Sequence, residues 1–123
     1  MNLKQYFDTT KGLGVLSTAD SSGRVNAAIY ARPHLMEDGT LVFIMRDRLT
    51  HDNLRSNPHA AYLFRESDPG YSGKRLYLTK VKEEQNADLI KSLQRRKYKN
   101  KGADERFLVY FRLDKELPLV GSD

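Results

Sequence analysis

The chain has 123 residues, of which 39% are hydrophobic and 30% charged, the balance of one soluble globular domain spanning residues 1–123. It contains no cysteine, so disulfides, thiolate catalysis and cysteine-ligated zinc are excluded. Its net charge of +5 comes from 21 Lys and Arg against 16 Asp and Glu, which raises nucleic acid or phosphate as a partner.

In chain order, residues 2–8 carry Leu3, Tyr6 and Phe7 at helical spacing. Gly12 and Gly14 are expected to break that element before a strand over 15–19. Asp20-Ser21-Ser22-Gly23 reads as a hairpin turn into a long strand over 24–35. There Val25, Ala27, Ile29 and Ala31 fall on one face, and Asn26, Ala28, Tyr30 and Arg32 on the other. Pro33 marks an irregular or edge position, because it cannot donate to a ladder. Glu37-Asp38-Gly39 is a second turn and delivers the chain into the apolar run Leu41-Val42-Phe43-Ile44-Met45.

The segment 41–64, LVFIMRDRLTHDNLRSNPHAAYLF, is the one around which the rest is organised. Its apolar run meets a charged corner, Arg46-Asp47-Arg48. Thr50 is the expected N-cap of a short helix, which Asn57-Pro58 closes before a strand over 60–64. Asp52 in the first turn complements the helix dipole. The free amides of such a turn, flanked by arginines, form an anion seat. The alternative is a capped surface helix whose arginines face water.

Residues 65–73 are rich in turn formers and read as a loop. A strand over 75–81 follows, with Leu76 and Leu78 alternating against Tyr77, Thr79 and Val81. Ala87, Ile90 and Leu93 set a helix over 86–98, which Gly102 stops. A last strand over 105–113 puts Phe107, Val109 and Phe111 on one face. Lys91, Arg95, Arg96, Lys97, Lys99 and Lys101 crowd the end of that helix. They read as a solvated helix end favoured by the dipole, or as a phosphate-binding face. Six strands with helical additions describe a mainly β protein, a small antiparallel barrel, since an open sheet of this size would leave edges to manage.

His34, His51 and His59 lack the spacing of a metal-ligand set, so no metal site is expected. No nucleophile elbow, paired carboxylates, dinucleotide fingerprint or Walker loop appears, so any redox chemistry would rest on a bound cofactor. No apolar stretch approaches the roughly 18 residues of a membrane span. MNLKQYFDTT lacks the apolar core of a signal peptide, and a cytoplasmic protein is expected.

The order of elements resembles the FMN-binding split-barrel family, which includes pyridoxamine 5′-phosphate oxidase and small flavin-binding proteins. Its most specific piece, N-L-x-x-N-P-x-x-A-x-L-F, stands here as Asn53-Leu54, Asn57-Pro58, Ala61, Leu63 and Phe64. The resemblance covers essentially the whole chain and implies a six-stranded antiparallel split barrel with FMN across the second and third strands. The ring would meet Asn26, Ala27 and Ala28 on one strand and Ile44, Met45 and Arg46 on the next. The phosphate would sit at Arg48-Leu49-Thr50, with His51 and Asn53 beside it. Several relatives carry a lysine or arginine just before or at the threonine position, where this chain has Leu49 and Thr50. Charge compensation is therefore expected from Arg48, Arg46 or Arg32. The tail LDKELPLVGSD lacks the basic substrate-binding segment of the true oxidase, so pyridoxamine phosphate oxidation is not expected.

The resemblance further implies a homodimer in which each subunit roofs the other's flavin. The loop Tyr71-Ser72-Gly73-Lys74 and the strand after it are the candidate roof, and the rival is a monomer whose crossover helix and C-terminal tail cover that face. The expected function is a flavin-dependent oxidoreductase or flavin carrier that works with a small-molecule electron donor or acceptor, without nucleic acid or membrane. Two alternatives stand. One is a split barrel holding haem or another planar ligand, with His34 or His51 as axial ligand. The other is a nucleic-acid-binding barrel that uses the basic helix end, with tyrosines for stacking: Tyr30 beside Arg32 on one face, with Tyr62 and Tyr77 not evidently joined to it.

Overall fold

A computed structural model describes residues 2–94 and 105–121. Helix α1 (Leu3–Thr9) opens on a capping box: Asn2 accepts from the Gln5 amide, and the Gln5 side chain accepts from the Asn2 amide. Its buried face is Phe7, which meets Tyr62 and Phe64 edge-on. Strand β1 (Gly12–Ala19) includes both glycines expected to interrupt the chain. The reason is close approach. A Cβ on Gly14 would lie 1.9 Å from the Tyr62 hydroxyl and 2.6 Å from the Tyr30 carbonyl oxygen. Glycine lets Tyr62 cross the strand and donate to that carbonyl at 3.1 Å.

Strand β2 (Val25–Ile29) pairs with β1, but the strand expected over 24–35 divides. Pro33 removes a ladder donor, and Arg32 turns inward to donate to the carbonyls of Phe7 and Thr10 at 2.7 and 2.8 Å, closing the end of α1. The remainder, β3 (His34–Leu35), pairs with β4 (Leu41–Arg46). The chain thus has seven strands where six are expected. Then follow α2 (Leu49–Ser56), β5 (His59–Glu66), β6 (Gly73–Glu84), α3 (Ala87–Leu93) and β7 (Arg106–Pro118). Helix α3 ends at Leu93, where Gln94 is extended; residues 95–98 of the expected helix fall outside the described residues. Of the basic cluster, Lys91 lies in its last turn; Arg95, Arg96, Lys97, Lys99 and Lys101, with Gly102, fall outside the described residues.

All seven strands form one antiparallel sheet in the order β2-β1-β5-β6-β7-β4-β3. Register shifts of β6 against β7, at Tyr77/Leu78 and Lys80/Lys82, help it curl. Leu16, Phe43, Met45, Tyr62, Phe64, Leu76, Leu78, Val109 and Phe111, from five strands, therefore meet in one core with Phe7 and Leu54. A second cluster, Val42, Leu108 and Tyr110, faces outward beneath Ile90 of α3. Among the described residues no ladder joins β2 to β3. Helix α1 packs on β3, and α2 packs on β1, β2 and β4, filling the seam. The result is a split barrel.

The outer side of β2, β1 and β5 stays uncovered. Val25 and Ile29 are 80% and 73% exposed, and Ile29, Val15 and Leu63 are register neighbours across three strands. Leu13 and, on β6, Tyr77 add further exposed apolar surface.

Candidate functional site in the seam between β2 and α2

Helix α2 begins two residues earlier than the sequence suggests. Arg48 is its N-cap residue, with no side-chain cap, and the first helical bond runs from the Asp52 amide to the Arg48 carbonyl at 2.9 Å. Thr50 is consequently inside the first turn and does not cap it. Its hydroxyl, only 3% exposed, turns to β2 instead, where it accepts from Asn26 Nδ2 at 3.3 Å and meets the Tyr30 hydroxyl. The amides of the first turn have no acceptor within the helix, and the dipole adds partial positive charge there.

Tyr30 is half-buried and edge-on to Phe43 at 6.1 Å. Burial pushes its phenol up, and the bond to Thr50 and the charge of Arg48 pull the other way. Asn53 is buried and donates to Thr18 Oγ1 at 3.1 Å, which pins α2 to β1. At the strand-to-helix corner, Arg46, Asp47, Arg48 and Glu105 line a small cavity of about 150 Å³. That is room for a phosphate-sized group, not for a flavin ring. The corner thus combines uncapped amides and two exposed arginines, which suit an anion, with the carboxylates of Asp47 and Glu105 on the same cavity wall.

The structure brings Asn26, Ala28, Arg46, Arg48, Leu49, Thr50 and Asn53 to this seam. Six other expected residues lie elsewhere. Ala27 is on the outer face of β2, because side chains alternate along a strand. Met45 is 1% exposed inside the barrel, and Ile44 packs on the outer side under α3. Arg32 is committed to α1, where it donates to the carbonyls of Phe7 and Thr10. Tyr71 is exposed in the β5–β6 turn, at the end of β5 opposite α2, where Arg65 lies over its ring.

His51, the sixth, faces away from the seam. Its ring is fully buried and parallel to Phe107 at 4.1 Å. Nδ1 lies 2.9 Å from Asp47 Oδ1, and Nε2 lies 2.9 Å from Glu83 Oε2. Fully buried and turned to two carboxylates, His51 does not face the seam where the haem alternative would need it. Tyr62 is fully buried and Tyr30 half-buried, while Tyr77 is on the outer face, so the three tyrosines do not form one stacking surface.

The sequence reading weighs Tyr30 only as a base-stacking residue, not beside Thr50, and gives Glu83 no role. For Tyr30 the signal was present, since it shares the inner face of β2 with Asn26. Glu83 lies 32 residues from His51, and nothing local announces the pair.

The split-barrel fold is shared with several solved structures. No family model matches the chain, and no curated protein does. Among solved structures, an FMN-binding protein from Syntrophomonas wolfei subsp. wolfei is similar at 22% identity, covering 98% of this chain and 86% of that one, with a TM-score of 0.76. An F420 reductase is similar at 16% identity, covering 86% and 89%, with a TM-score of 0.71. A candidate pyridoxamine 5′-phosphate oxidase from Lactobacillus delbrueckii is similar at 14% identity, covering 94% and 89%, with a TM-score of 0.67. At these identities the likeness establishes the fold. No helix among the described residues is long and apolar enough to cross a membrane.

Proposed function

We propose that the chain binds FMN along the seam, with the phosphate at Arg48-Leu49-Thr50, and serves in the cytoplasm as a flavin-dependent oxidoreductase or flavin carrier. The observation that carries this reading is the uncapped start of α2, with the Thr50 hydroxyl inside its first turn and Arg46 and Arg48 at its corner. The similarity to an FMN-binding protein supports it. Bound FMN would supply hydride or electron transfer with a small-molecule donor or acceptor. The chain's own residues bind and orient: Arg48 and the α2 amides hold the phosphate, Thr50 and Asn26 donate to it or to the adjoining chain, and Ala28 leaves room beside β2.

A second copy of the chain completes the site. One small barrel buries its interior with its own side chains, so a ring lying outside β2 needs a cover. Val25 and Ile29 form an apolar surface on the reverse of the strand that carries Asn26 and Ala28. Pairing of two such faces would bury them and would bring the β5–β6 turn, with Tyr71, toward the other copy's α2. Nucleic acid has no part in this reading.

The test is titration of the purified protein with FMN, followed by flavin fluorescence, with sedimentation at micromolar concentration. One FMN per chain and a dimer are expected, and Thr50→Ala should weaken binding by about 1–2 kcal/mol through a lost bond to a charged acceptor. Absence of flavin binding would overturn the reading. Binding of F420 without FMN would keep the site and change the cofactor.

A further inference from the structure

His51 is a buried imidazole held between two acids. Nδ1 faces Asp47 Oδ1 at 2.9 Å, and Nε2 faces both oxygens of Glu83, at 3.1 and 2.9 Å. A neutral imidazole has one donor nitrogen and one acceptor, whereas ionised carboxylates only accept. A neutral ring would therefore point a lone pair at a carboxylate oxygen 2.9 Å away, with no proton between them. The cluster relieves this by holding one proton more than a neutral ring and two carboxylates would. We propose that Asp47, His51 and Glu83 form a proton-holding clamp, with His51 a positioning residue. It fixes the first turn of α2 so that Thr50 and the helix amides face an anion in the seam. The clamp follows from the geometry alone; its effect on FMN rests on the reading given under Proposed function.

The surroundings agree. At the β4–α2 corner, Asp47 also bonds Arg55 Nη2 at 3.2 Å. On β6, Lys80 bonds Glu83 Oε1, so each acid has its outer side matched by a cation and turns its other side to the ring. From β7, Phe107 closes the ring's face, and Arg106 beside it stands opposite Arg46 of β4. His51 first of all holds the Asp47 carboxyl below the ordinary range. At Glu83 burial opposes the charged form, but the bonds from Lys80 and His51 outweigh it, and its carboxyl also lies low. Both acids are thus ionised acceptors at neutral pH. With the proton, the ring, two acids, Arg55 and Lys80 carry a net positive charge beneath the helix start; without it they are neutral.

A ring without the extra proton would lack that charge and one arm of the clamp, and both changes weaken anion binding. The experiment has two arms. Nitrogen-15 NMR of the flavin-free protein at neutral pH should show both His51 ring nitrogens protonated; a ring nitrogen without a proton would overturn the clamp. FMN affinity is then compared at pH 7 across variants. Glu83→Gln can donate to a neutral ring, so it keeps both bonds and the cluster's net charge with one proton on the ring. It should bind FMN within about twofold of wild type, whereas His51→Asn, which loses a bond and the charge, should bind at least about threefold more weakly. Equal affinity in wild type and His51→Asn would sink the coupling. A protein that binds no FMN would sink the flavin reading and the coupling together, and the NMR arm would still decide the clamp.

Discussion

Thr50 and His51 are adjacent in the first turn of α2, both buried, and chemically opposed. On the Thr50 side the contacts are neutral and long, a 3.3 Å bond from Asn26 and the Tyr30 hydroxyl, beside exposed arginines. On the His51 side they are ionic and short, 2.9 Å at each nitrogen, and sealed by Phe107. Weak neutral bonds are easily exchanged for a ligand's, while charge-assisted ones hold geometry. One turn of helix thus has a side that can be re-paired and a side that keeps it in place.

The comparison breaks most severely at Gly14→Ala. The added methyl would collide with the Tyr62 hydroxyl and the Tyr30 carbonyl, which support the open side from beneath. A loss of about 3 kcal/mol is expected from denaturant unfolding, the upper end of overpacking costs. A loss under about 1 kcal/mol would mean that Tyr62 swings away cheaply.

Next comes His51→Ala, which leaves Asp47 and Glu83 without the donor they share. A stability loss of about 2 kcal/mol is expected, moderated because both acids reach water. An unchanged midpoint would show that the closed side holds nothing.

The smallest effect sharpens the contrast through pH. The Asp47 carboxyl lies below its ordinary value in the folded chain, so its contribution is present above the unfolded carboxylate range and is lost as pH falls through the folded value. Wild type should therefore exceed Asp47→Asn in thermal stability at pH 7, and the gap should close below about pH 4. A gap that is constant with pH would detach Asp47 from the ring.

The segment from Leu41 to Phe64 was largely legible, because its apolar runs and its Asn57-Pro58 stop act locally: β4, α2 and β5 fall where the pattern puts them. Thr50 misled by two residues, since a good capping residue in the first turn looks the same in sequence as one at the cap. Gly14 and Arg32 misled for a different reason. Their roles are set by Tyr62, 48 positions on, and by the carbonyls of α1, contacts that periodicity does not encode. In the site, alternation along β2 puts Asn26 and Tyr30 together and Ala27 on the opposite face. The pairing of His51 with Glu83 depends on how the sheet curls and was out of reach.

The seam is bridged by a helix where a continuous barrel would have a ladder. Elsewhere the separation of neighbouring strands is dictated by backbone bonding, near 4.8 Å. Between β2 and α2 it is dictated by the bulk of Asn26, Ala28, Tyr30 and Thr50. Mutations there would change the gap through side chains rather than through main-chain pairing. On the function proposed above, cofactor preference would then drift along the seam while the sheet remains under its own selection.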